Sequence, residues 1–411
     1  MPLADIILVF CFFLSWVRGT NIGLFLPSDE SMMASIDYTT QTLQNIGLLA
    51  GLVFYVLLKN DFSFLKRSIS DTLLTVVGLI VIVSLFISID KRDSIKFLFA
   101  TGVVSAPTII YILKYGSEKF LKSLGNFVIV MAIINFLYIL VMPQYAIMSG
   151  VHAGKWKGLF EHKNASGQFF ALGFFIILHQ FRYSFSVRST FQLIALLISF
   201  VFVVMSKSAT GVVAFAAMLL LYYFSTYMYR LYKPGERIAV FIILIVLSLL
   251  MYVLFGPWLE ATFFSAIGKD ATLTGRTNIW MPLLELSYER PILGYGFGMA
   301  QQPEFISQIY SQITFAPKTT HNSYLELILN IGYPATIIFV LYAVKTLVRP
   351  LSFPVYNRNI VKLRAMGTSI LAVSMIMAMS SGGVFLDRSM WWLFCLTGML
   401  LLSAQSRLEE T

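Results

Sequence analysis

Charge is scarce in this sequence. Of 411 residues, 12% are Asp, Glu, Lys or Arg, against 58% that are hydrophobic. A water-soluble chain of this size is about one-quarter charged, so a domain that covers itself with a solvated polar surface is excluded. Cysteine is nearly missing: Cys11 and Cys395 each lie inside an apolar run. That argues against a disulfide framework, and with four histidines no Cys/His spacing suits a zinc site. There is no internal repeat, no low-complexity segment and no separate soluble domain. The first apolar run, 3–17, lacks a preceding Lys or Arg and a clear small-x-small cleavage site, and reads as a first membrane helix rather than a signal peptide.

What is present is a succession of apolar runs. A spanning helix needs about 20 mostly apolar residues, and twelve candidates follow one another: 3–17, 42–58, 72–89, 97–114, 124–142, 167–181, 190–205, 210–229, 238–255, 323–344, 366–382 and 389–405. The expected fold is an all-α, polytopic membrane protein of about twelve transmembrane helices, one domain over 1–411. The net charge of +10 then belongs to basic loops at the membrane surface rather than to nucleic-acid binding. With the first helix starting inside, Lys and Arg are in slight excess on the inner side. Two outer segments stand out: the loop 143–166, and a long loop, 256–322, holding an amphipathic stretch near 277–289 that closes on Arg290-Pro291 and GYGFG.

Three outer helix starts carry unusual polar sets. GLFEHKNASG opens the sixth span, SKSATG (206–211) the eighth and TTHNSYLE (319–326) the tenth. A helix start offers free N–H groups and about half a positive charge, which suits anions and phosphate especially. Lys163 is placed to hold a phosphate, with His162 beside it and Asn164 or Ser166 as caps; a plain capped helix entering the bilayer fits the same residues. Lys207, in a very short turn, fits either a ligand or an interfacial anchor that snorkels. Arg276, between Gly275 and a helix start, presents a rigid fork matched to phosphate oxygens; a solvated loop arginine is the plainer reading. Asn322, Glu326 and Asn330 recur every four residues along one face of the tenth span. Polar groups at that depth usually face a cavity or the bundle interior. His321 stands at the mouth of that face as a base or hydrogen-bond donor. Asp387-Arg388 reads equally as an ion pair or as part of a site.

GLFEHKNASG, LTGRTNIW, RPILGYGFG and THNSYLELILNIG, in that order, resemble the O-antigen ligase/polymerase superfamily, most closely its ExoQ-like exopolysaccharide-polymerase branch. The superfamily's HN-x9-G pattern fits His321, Asn322 and Gly332. The ligase form departs at Ala335, and the HKN triplet is closer to the polymerase branch. The resemblance implies a GT-C-like membrane glycosyltransferase of the bacterial inner membrane, working at the periplasmic face without metal, nucleotide sugar or other cofactor. It would move a glycan from undecaprenyl diphosphate to a sugar hydroxyl, or in the ligase alternative to lipid A-core or protein, with a chain-length regulator protein as a further partner. Carried over, Arg276 would bind the diphosphate and His321 would activate the acceptor or assist the leaving group. Lys163 stands where a second family arginine has no match. His162, Asn164, Lys207, Asn322 and Glu326 complete the expected substrate-binding set. A transporter or flippase is the reading from another class; it predicts paired broken helices in two repeated halves, and no such repeat is present.

Overall fold

The computed structural model describes residues 2–23, 25, 28, 38–59, 72–181, 184, 186–231, 233–243, 276–309, 320–355 and 357–407. These fold into a helical bundle: α1 (Leu3–Thr20), α2 (Tyr38–Lys59), α3 (Thr72–Ile87), α4 (Lys91–Val141), α5 (Lys163–Gln180), α6 (Val187–Met205), α7 (Ala209–Leu231), α8 (Arg276–Glu289), α9 (Ser323–Val348), α10 (Arg358–Ala378) and α11 (Met390–Arg407). A short helical stretch also lies at 234–243. Among the described residues no strand occurs; a single antiparallel bridge joins Ile147 and Trp156.

Among the described residues, seven helices are long and apolar enough to cross a membrane, and Thr75–Ile87 and Met390–Ser403 are shorter apolar helices. The chain is therefore a multi-pass membrane protein. The two spans expected at 97–114 and 124–142 form one 51-residue helix, α4, broken at Gly116, whose backbone is non-helical (φ 78°, ψ 166°). At 1.5 Å per residue it is about 76 Å long, enough for two crossings of a hydrocarbon layer about 30 Å thick. Most of the expected ninth span, and residues 256–275 and 310–319 of the long loop, lie outside the described residues.

Local chemistry sets the helix starts. Asp90, His162, Ser186, Asn322 and Asn357 each accept a hydrogen bond from a first-turn N–H of α4, α5, α6, α9 and α10, satisfying donors that have no intrahelical partner. Helix α5 is buried along most of its length and packs against α4, α6 and α7. Its hydrophobic residues run all round, as a helix at the centre of a bundle requires. Helix α10 packs on α7 and α11, α1 on α2 and α4, and α9 on α3 and α8.

The bundle has two polar ends. At one, Asp5 at the start of α1 meets Lys114 of α4 and lies 3.9 Å from Lys59 at the end of α2. At the other lie the end of α1, the start of α2 and the starts of α5, α7 and α9. Arg18 there donates to Asn45 Oδ1 (3.2 Å) and Gln41 Oε1 (3.0 Å), Gln41 donates to Asn21, and Asn21 donates to Glu161 (both 2.8 Å).

Candidate functional site

The three polar helix starts meet at this second end. At α5, His162 Nδ1 caps the helix by accepting from the Asn164 N–H at 3.1 Å. Lys163 is buried, and its Nζ donates to the Lys207 carbonyl (3.2 Å) and to Asn164 Oδ1 (3.3 Å). That one side chain ties the start of α5 to the turn before α7. Ser208 Oγ closes the link by donating to Asn164 Oδ1 at 2.9 Å. The two helices cross at Gly167 and Gly211: a Cβ on Gly211 would press on the Gly167 backbone, and one on Gly167 on the Ser206 hydroxyl. Lys207 itself is left-handed (φ 46°), with an exposed side chain.

The start of α9 is joined to α5 through the loop between α10 and α11. Gln168 Nε2 donates to Ser381 Oγ (3.2 Å), and Ser323 Oγ donates to the Ser381 carbonyl (2.8 Å). Asn322 Oδ1 caps α9, accepting from the N–H groups of Tyr324 and Leu325. Between these caps sits His321, half-buried and left-handed (φ 52°), a region that few residues with side chains occupy. His162 packs edge-on against His152, ring centres 5.3 Å apart. Burial, then the nearby charges of Lys163, His152, His321 and Lys155, press the His162 pKa down to about 3. Its imidazole is therefore neutral at neutral pH, consistent with Nδ1 acting as an acceptor. In the same segment burial lowers the Lys157 pKa to about 8 against the pull of Glu161.

Glu326 and Asn330 lie on one face of α9, as their spacing requires, but that face meets protein. Glu326 is buried; one carboxylate oxygen accepts from the Thr320 hydroxyl and the other from the Gly383 N–H, both at 2.7 Å. Asn330 bridges Gln301 and the Ala300 N–H. Glu326 thus anchors two loops. Sequence reasoning missed those partners. The clue to them was small: Ser380-Ser381-Gly382-Gly383 is a break before α11 that lets a loop pass close to a carboxylate.

Helix α8 covers the site from the side. Trp280 Nε1 donates to the Thr320 carbonyl at 3.1 Å, and Ile279 and Leu283 share an apolar cluster with Leu325 and Leu329. Arg276 opens α8 one turn before Trp280; its side chain lies outside the described residues. The RPILGYGFG segment docks on a break in α9. Pro334 has no N–H, so the Asn330 carbonyl lacks its helical partner, and the Tyr333 N–H turns to Pro291 O (2.8 Å). The freed carbonyls of Leu329 and Asn330 accept from Tyr295 N (2.6 Å) and Gly296 N (3.2 Å). Gly332 makes the break (φ 77°, ψ 173°), and a Cβ there would collide with the Ile292 carbonyl.

Asp387 and Arg388 belong to this end of the bundle. Asp387 is buried and accepts from the Arg388 N–H (2.6 Å). Burial raises its pKa, while Arg388 and Arg18 pull the other way. The Arg388 guanidinium lies over the Phe97 ring at 5.2 Å.

The bundle crosses the membrane many times and gathers capped helix starts, lysines and histidines at one of its ends. Residues 194–340 match the family model described as O-Antigen ligase (Wzy_C), a little over a third of the 411-residue chain. The match agrees with the resemblance of the chain's motifs to the O-antigen ligase/polymerase superfamily. It takes in Lys207, Arg276, His321, Asn322, Glu326 and Gly332, while the His162–Asn164 triplet lies before it. No curated protein matches the chain.

Proposed function

We propose that this protein is a polysaccharide polymerase of its superfamily, transferring a glycan from undecaprenyl diphosphate to a sugar hydroxyl at the periplasmic face of the bacterial inner membrane. The observation that supports it is the meeting of the Glu161–Asn164, Ser206–Gly211 and Thr320–Glu326 segments at one end of the bundle.

In this reading the acceptor oxygen bonds to the anomeric carbon as the bond from that carbon to the diphosphate oxygen breaks. Positive charge builds on the sugar and negative charge on the departing diphosphate. Lys163, Lys207, Arg276 and the N–H-rich helix starts stabilise that anion, an effect that costs about 10²–10³ in rate when one preorganised donor is removed. His321 takes the acceptor's proton, a role contributing about 10²–10⁴. His162 is kept neutral and holds the start of α5 in place. The buried polar groups Glu326 and Asn330 are bonded within the chain, which takes weight from a transport path along α9.

The test is a polysaccharide profile of cells lacking the gene, complemented with wild type or His321→Ala. Loss of long exopolysaccharide with normal lipopolysaccharide, unrescued by the variant, is the expected result. Long chains that accumulate on the lipid carrier without reaching lipid A-core would instead assign a ligase. Normal profiles in the null strain would overturn both.

A further inference from the structure

At the end of the bundle opposite the site lies a cleft of about 310 Å³. Three cations from three helices line it: Lys122 of α4, Arg188 of α6 and Lys362 of α10, with Glu118 as a carboxylate neighbour and Asn359 among the polar groups. Gln180, at the last residue of α5, forms part of the wall and donates to the Leu121 carbonyl, fixing α5 to α4 there. Two further cations at this end are committed: Arg237 donates to the Tyr229 and Phe353 carbonyls, and Arg364 to those of Pro350 and Phe353. Lys122 and Arg188 are exposed and form no ion pair or hydrogen bond among the described residues.

Cations that merely follow the inner-loop bias would lie scattered over separate loops. Here they converge from elements far apart in sequence on one concavity, leaving an excess of positive charge. From Arg188 an exposed apolar stripe, Val187, Phe191 and Ile194, runs along α6. Its spacing puts the three on one helix face. A phosphate in the cleft would thus sit beside a surface suited to acyl chains. Basic pockets between membrane helices bind anionic headgroups in this way.

We propose that the Lys122–Arg188–Lys362 cleft is a binding site for the phosphodiester headgroup of an anionic membrane lipid, with the acyl chains lying on the α6 stripe. The full chain is purified in detergent, and its thermal stability is titrated with short-chain phosphatidylglycerol, with phosphatidylcholine of the same chain length, and with inorganic phosphate. Stabilisation by phosphatidylglycerol alone is expected. The half-maximal concentration rises at least fivefold in Lys122→Gln/Arg188→Gln/Lys362→Gln. It stays unchanged in Lys119→Gln/Lys233→Gln/Arg358→Gln, which removes the same charge outside the cleft. If the first triple variant does not fold, Lys122→Gln and Arg188→Gln, both at exposed positions, each raise it at least twofold. Equal weakening in the control variant would reduce the effect to diffuse charge and overturn the site. Stabilisation by phosphate equal to that by the lipid would make it a free-anion site and overturn the lipid assignment. No stabilisation of the wild type by phosphatidylglycerol would overturn both.

Discussion

His321 carries the sharpest conflict between local cost and local order. Its left-handed backbone (φ 52°) costs a residue with a Cβ on the order of 1–3 kcal/mol, and glycine adopts that conformation freely. A histidine kept there for stability alone would be a poor choice. His321→Gly is therefore expected to keep or raise the melting temperature of the purified protein while glycan transfer falls at least a hundredfold. A variant that transfers normally would remove His321 from the chemistry. His162 makes a different prediction. Its folded pKa, about 3, lies below the ordinary 6.5, so the unfolded chain takes up the proton first as pH falls. Its stabilising contribution is complete above about 6.5, is lost progressively below it and levels off near 3. The slope is at most about 1.4 kcal/mol per pH unit. His162→Asn keeps a good capping group and removes the titration. Its melting temperature should fall less between pH 7 and pH 5 than that of the wild type, and parallel profiles would refute the assignment.

At the scale of elements, α9 and the RPILGYGFG segment stabilise each other through a deliberate fault. Gly332 and Pro334 open the helix, and the carbonyls so released are bonded by Tyr295 and Gly296. Gly332→Ala adds a Cβ against the Ile292 carbonyl in a left-handed backbone. A loss of roughly 1–3 kcal/mol is expected from the strain alone, with earlier thermal unfolding and faster protease cleavage near 290–300. An unchanged melt and digestion pattern would mean that the two segments do not depend on each other. Much of the element list was legible in advance: α8 at 276–289 lies within a residue of the stretch expected at 277–289, because an amphipathic pattern and the terminal Arg290-Pro291 are local signals. Both motifs of the fault were also visible as text. Their docking was not, because pairing 291–296 with 329–333 depends on carbonyls that exist only once the helix is broken. The same limit hid Ser381 and Gly383, whose contacts to Gln168, Ser323 and Glu326 cross long stretches of chain. The polar stripe on α9 was recognised by its period, but periodicity gives a face and not what the face meets. The break at Gly116 likewise separates two apolar runs in the sequence, while the backbone passes through as one bent helix.

Across the whole molecule the two polar ends differ in kind. The end holding His162, Lys163 and His321 is built from capped helix starts bonded to one another. The other gathers Lys114, Lys122, Arg188, Arg237, Lys362 and Arg364, the excess of cations expected of a cytoplasmic surface. If transfer takes place at the periplasmic face, each end must be reachable from one side of the membrane alone. The native thiols do not interfere with a test, since Cys11 and Cys395 are fully buried. Val151, 94% exposed, is three residues from Gly154 at the site end, beside the His152–His162 pair. Lys119 is exposed at the other end, near the Tyr115 ring. A membrane-impermeant maleimide should label Val151→Cys in right-side-out vesicles and Lys119→Cys in inverted ones. The reverse pattern would put the histidine-bearing end in the cytoplasm, where a periplasmic lipid-linked donor is out of reach, and the proposed transfer would fall with it.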